Sequence, residues 1–97
     1  MRTRPGRRRD ANHKLIVGEL RQAGFSVLDL AELGDDVPDI LAAKHGQEQL
    51  VEIKSHEGEL SDGQLEFSHE WRGHKPLCVR SSDEVVAHFN QRLLSEG

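Results

Sequence analysis

Apolar residues recur at helical spacing near both ends and once past the middle of the chain, and at strand-like spacing between these stretches. Leu15, Ile16, Leu20 and Ala23 supply the apolar face of a first helix. Asp10 or Asn12 can cap its start, and Gly24 can stop it. Phe25 to Leu30 then reads as a short strand, and Gly34 to Pro38 as a turn. Asp39 to Ala43 and Gln49 to Ser55 read as two strands around His45-Gly46. After a loop rich in Gly and Glu, Ser61-x-x-Gln64 forms a capping-box signature, with Leu60 placed to staple onto Leu65. That second helix runs to about Gly73. Pro76 to Arg80 is a last strand. Ser82 caps a final helix, with Asp83 and Glu84 in its first turn and Val85, Val86, Phe89 and Leu93 as its apolar stripe. The expected order is α-β-β-β-α-β-α: a meander of three strands, a fourth strand added after a helical crossover, and helices on both faces.

Composition narrows this picture. At 97 residues one domain is expected, and a chain of this size buries only a modest share of its surface, which makes a second copy a reasonable partner. No apolar run approaches the roughly 20 residues that cross a bilayer. The basic N-terminus lacks the apolar stretch of a secretory signal, and the lone Cys78 allows no internal disulfide. A cytoplasmic protein is the expectation. The net charge of −4 conceals an asymmetry. Residues 1–9 carry five arginines and no acid (+5), while the rest has eight Lys/Arg against seventeen Asp/Glu (−9). Residues 1–9 therefore read as a flexible basic arm, either one that touches phosphate or simply a solvated tail, with 10–97 as the folded domain. So acidic a body does not coat nucleic acid indiscriminately, unless some of its carboxylates hold metal ions.

The chemistry concentrates on the Leu50-Val51-Glu52-Ile53-Lys54 strand. Alternation sends Val51 and Ile53 into a core and Glu52 and Lys54 to the other face, roughly 7 Å apart. A two-residue turn at His45-Gly46 pairs Lys44 with Gln47 and, counting outward, Asp39 with Glu52. Opposed residues have Cβ atoms about 5 Å apart. Two carboxylates at that distance repel by ~3 kcal/mol at an effective dielectric of ~20. A cation between them removes the conflict. Lys54 is one candidate, and Mg²⁺ or Mn²⁺ is a better one, because both favour oxygen ligands and water. The alternative is an ordinary Glu–Lys surface strand with a stray Asp after a Pro turn.

Pro38-Asp39, the thirteen-residue gap and Glu52-Ile53-Lys54 resemble the PD-(D/E)XK nuclease superfamily, and more closely its small VRR-NUC members of phages and bacteria, relatives of Holliday-junction resolvases. Further matching segments are Asp10-Ala11-Asn12, Leu20 to Gly24, Leu60 to Gln64, Trp71-Arg72-Gly73 and Ser81 to Glu84, so that the likeness spans residues 7–94. The resemblance implies a restriction-endonuclease-like αβββαβα core, with a four-stranded mixed sheet flanked by helices. It implies a metal-dependent endonuclease that hydrolyses DNA phosphodiesters with Mg²⁺ or Mn²⁺, on duplex, flapped or branched substrates. A homodimer is expected because a chain this small covers only one phosphodiester at a time. Asp39, Glu52 and the Ile53 carbonyl would be metal ligands, Lys54 the catalytic lysine, and Gln64 a residue lining the site. Relatives often add an acidic residue near the metal from the first helix; Asp10 is the matching position, although it can equally be that helix's cap. Gln64 likewise can serve its capping box instead.

Other signals carry less. His69-Glu70-Trp71-Arg72-Gly73-His74 has its second His one position too far for a zinc-protease motif, and Gly73 breaks the helix between them. Trp71, beside Arg72, reads as partly core, with base stacking or wedging at a branched substrate as the sharper alternative. Arg7, Arg8, Arg9, Trp71 and Arg72 are the expected nucleic-acid contacts, and Cys78 is expected to be inert core. The rival function is a non-catalytic nucleic-acid-binding module with the same fold. A partner-binding subunit relying on its acidic surface is a third.

Overall fold

A computed structural model describes residues 11–34, 36–55 and 58–96. The basic arm with Arg7, Arg8 and Arg9, and Asp10, lie outside the described residues. Helix α1 spans Ala11–Gln22, followed by strand β1 (Ser26–Asp29) and a single 3-10 turn, Ala31–Leu33. Strands β2 (Ile40–Lys44) and β3 (Gln47–Ile53) form a hairpin. Helix α2 (Asp62–Glu70), strand β4 (Leu77–Val79) and helix α3 (Ser82–Glu96) complete the chain. The order is the one expected, in an α/β arrangement with a four-stranded mixed sheet flanked by helices.

Local chemistry sets the boundaries. Gly24 ends α1 at φ 95°, with Phe25 N–H on the Leu20 carbonyl and Gly24 N–H on that of Arg21, the paired bonds of a Schellman cap. His45 (φ 59°) and Gly46 (φ 75°) both lie in the left-handed region, as a tight two-residue hairpin turn demands. Lys44 therefore faces Gln47, and the pairing continues to Ile40 opposite Val51. One step further outward sit Asp39 and Glu52. The sheet order is β1-β2-β3-β4, with β4 parallel to β3.

One sheet face carries Val27, Ile40, Ala42, Val51 and Val79, and it packs with Ile16 and Leu20 of α1 and Val85 and Phe89 of α3 into the core. Phe25 closes one end, its ring edge-on to Phe89 with centroids 4.9 Å apart. The opposite face carries Glu52, Cys78 and the leucine row Leu28, Leu41 and Leu50. Helix α2 lies over part of it and contains no buried residue.

Several faces differ from expectation. Leu15 and Ala23 are exposed, and His13 and Val17 take their places beside Ile16 and Leu20. The stripe is thus 13-16-17-20, drawn there by the sheet under α1: His13 Nε2 lies 3.6 Å from Asp29 of β1. Leu93 is exposed, and the inward face of α3 is Val85 and Phe89, with Val86 partly buried. Cys78 is half-buried, since it shares the α2 face with Glu52 rather than the core face.

Candidate active site

The site lies where the hairpin opens. Asp39 is fixed by a hydrogen bond that crosses to the neighbouring strand, its Oδ2 accepting the Ile53 N–H at 2.8 Å. Lys54 N–H donates the other way, to the Val79 carbonyl at 3.0 Å. Because a trans peptide is planar with N–H and C=O opposed, the Ile53 carbonyl points away from β4, toward Asp39. The Lys54 carbonyl accepts from Asn12 Nδ2 at 3.2 Å, which ties α1 to the end of the motif. Backbone bonds from three directions thus fix the stretch Ile53-Lys54.

Glu52 is buried, only 6% exposed. Its Oε2 accepts from Gln64 Nε2 at 3.0 Å and lies 3.6 Å from Lys54 Nζ. Burial, the Asp39 charge and a hydrogen bond with Asp39 push the Glu52 carboxyl up from its ordinary 4.5 to about 8, against the opposing pull of Lys54. Desolvation outweighs the ammonium here. Alone, the pair holds a proton at neutral pH.

Gln64 makes its capping box and reaches Glu52 as well. Its Oε1 accepts the Ser61 N–H (2.9 Å) while its backbone N–H donates to Ser61 Oγ (3.1 Å), completing the capping box of α2. That leaves Nε2 free to donate to Glu52. An amide has a separate acceptor end and donor end, so the cap aims the amide rather than consuming it.

Asp39, Glu52, Lys54, Gln64 and the Ile53 carbonyl therefore meet at one place. Trp71 and Arg72 lie at the other end of α2, outside this cluster. Trp71 is not partly core: it is 43% exposed and stacks on Phe67 with centroids 5.4 Å apart. Sequence reasoning missed Phe67, although aromatic residues at i and i+4 on a helix are neighbours. It also missed Gln49. This side chain is 2% exposed on the core face of β3, donating to the Leu50 and Lys75 carbonyls and accepting from Arg92, with His88 Nε2 3.1 Å away. Strand alternation put Gln49 on the same face as Val51, which was the available signal.

Among the described residues no group of three or more His, Cys, Asp or Glu side chains could hold a metal ion. The donor set is instead two carboxylates and a backbone carbonyl. That is a hard-oxygen set of the kind Mg²⁺ accepts while keeping several waters, and a cation would take the place of the proton that Glu52 otherwise holds. No protein-family model, curated protein or solved structure matches the chain. No helix among the described residues is long and apolar enough to cross a membrane.

Proposed function

We propose that the chain is a divalent-metal-dependent nuclease of the PD-(D/E)XK type, cutting DNA phosphodiesters at the Asp39/Glu52/Lys54 cluster. The observation that carries this reading is the pairing of Asp39 with a buried Glu52, with Lys54 3.6 Å from the latter. Asp39, Glu52 and the Ile53 carbonyl would hold Mg²⁺ or Mn²⁺, which when bound supplies positive charge to a phosphate oxygen and acidity to a water. Lys54 would orient that water or neutralise charge on the phosphate. Gln64 would hold the Glu52 carboxylate in place through Nε2, and Asn12 would hold the Lys54 backbone. Two copies would associate, since one small chain covers little of a branched substrate; light scattering that finds only monomer at high concentration removes that part.

The test is a cleavage panel of linear, flapped and four-way DNA with Mg²⁺, Mn²⁺ or chelator. Metal-dependent cutting that is lost in folded Asp39→Ala, Glu52→Ala and Lys54→Ala supports the reading, and no cutting on any substrate counts against it. That only two carboxylates, Asp39 and Glu52, meet at the site among the described residues favours one rival, a binding module that keeps the fold without catalysis. It differs in requiring no divalent ion for DNA binding, and that binding survives Asp39→Ala.

A further inference from the structure

Helix α2 has chemistry at both ends. Its first turn delivers Gln64 to Glu52. Its last turn ends in the Phe67–Trp71 stack, with rings tilted by only 12°. Phe67 joins the two ends, because its other surroundings form a small cavity lined by Glu52, Gln64 and Cys78. Trp71 lies seven residues beyond Gln64, about 10 Å along the helix axis.

The fold holds the Trp71 backbone from both sides and leaves the residue 43% exposed. Its N–H donates to the Phe67 carbonyl at 2.9 Å, and its carbonyl accepts Lys75 Nζ at 2.7 Å, the same ammonium also reaching the His69 carbonyl. Phe67 supports the indole by stacking, and Gly73 closes on its edge so tightly that a Cβ there would come within 2.8 Å of Nε1. An open groove of about 840 Å³, lined by His69, Glu70, Arg72, Gly73 and Lys75, borders the ring. The ring's companions are charged groups, with Arg72 and Lys75 outnumbering Glu70, rather than the aliphatic side chains that surround a protein-docking anchor.

We propose that Trp71 is a stacking platform for an unpaired base of single-stranded DNA, with Arg72 facing the adjoining phosphate. Every base has a π-face, so a rigid indole flanked by cations binds single strands with little regard for sequence. A duplex keeps those faces occupied by its own stack, which makes the platform selective for a single-stranded segment. As a statement about substrate this rests on the nuclease reading: at about 3.4 Å per stacked nucleotide, a base on Trp71 is two to three nucleotides from the Glu52 end of α2. The substrate is then a strand, overhang or flap with unpaired bases near the cut.

The experiment uses the full chain in chelator, so that binding is read without cleavage. Trp71 is the one tryptophan and the chain has no tyrosine, so tryptophan emission reports this ring alone. An oligo-dT strand is expected to quench it, and a blunt duplex of equal length to leave it nearly unchanged. Trp71→Leu should weaken oligo-dT binding roughly tenfold by anisotropy, and Trp71→Phe far less. Gly73→Ala, which displaces the indole, should weaken it with circular dichroism unchanged. Unquenched emission, or equal affinity in Trp71→Leu, overturns the proposal. So does emission that changes with protein concentration alone, which assigns the face to a second copy. Quenching without metal-dependent cutting defeats the nuclease reading and leaves the platform; cutting without quenching does the reverse.

Discussion

Replacing Glu52 by Gln isolates the energy held in the buried carboxyl pair. In the folded protein Glu52 holds its proton up to about pH 8, whereas in the unfolded chain it releases it near the ordinary 4.5. The folded state therefore binds this proton more tightly. Stability from this group is fully present below about pH 4.5, declines as pH rises toward 8, and is flat above. Each pKa unit is worth about 1.36 kcal/mol, and water that reaches the Lys54 side of the site reduces the effect, so the loss is roughly 2–4 kcal/mol. Gln has nearly the same shape, still accepts from Gln64 Nε2, and cannot ionise. The difference in melting temperature between Glu52→Gln and the parent should be small near pH 5, grow with pH, and reach about 10 °C or more near pH 9 in favour of the variant. Thermal unfolding followed by circular dichroism measures it, and taking the difference cancels the titrating groups outside the Asp39/Glu52/Lys54 cluster. Excess Mg²⁺ or Mn²⁺ at high pH should return stability to the parent alone, since a ligand of the folded state stabilises by mass action. Melting curves that stay parallel across the pH range would refute the burial argument. A pH-dependent gap with no response to metal would retain the burial and remove the ion.

Other side chains give sharper local tests. Gln64→Glu keeps an acceptor for Ser61 but sets a third carboxyl against Glu52, so metal-dependent cutting should fall while helicity is retained. Gln64→Ala also loses the side-chain half of the box, and chemical denaturation should show a loss of about 1–2 kcal/mol. Gly63→Ala would drive a Cβ into the Asp36 carboxylate, so the ~1 kcal/mol that Ala brings to a helix should be cancelled and no net stabilisation observed by denaturant titration. Gln49→Leu strands the Lys75 carbonyl and removes the acceptor shared by Arg92 and His88; a loss of about 2–3 kcal/mol is expected. Burial, then Arg92 and His74, lower the His88 pKa from 6.5, so stability from a neutral His88 is present above that value and falls as pH drops below it. NMR titration of the imidazole checks the direction.

The features legible in the sequence were those written locally. The His45-Gly46 dipeptide determines the hairpin turn, and through it the register that brings Asp39 beside Glu52. Ser61 and Gln64 mark the start of α2 because their bonds span three residues. What needed the assembled fold was decided at a distance. Leu15 and His13 exchange burial because the sheet beneath α1, rather than hydrophobicity, selects its inner stripe. Gln49 looks like a surface residue until Lys75, His88 and Arg92 arrive from later in the chain to satisfy it. The cluster was visible as a spacing, but the two-ended use of Gln64 and the anchoring of Lys54 by Asn12 required α2 and α1 to be in place.

Helix α2 has no buried residue, whereas the strands beside it carry the core. Segments with so little buried surface open at a fraction of the global unfolding free energy. The two carboxyls and Lys54, borne by the hairpin, then persist through excursions that carry away Gln64, Phe67 and Trp71 together. Native-state hydrogen exchange should separate two populations, with fast amides over 62–70 and slow ones over 47–53. The chain would in that sense be a permanent half-site joined to a reversible one, with the helix as the part that a long polymer can enter beneath and leave.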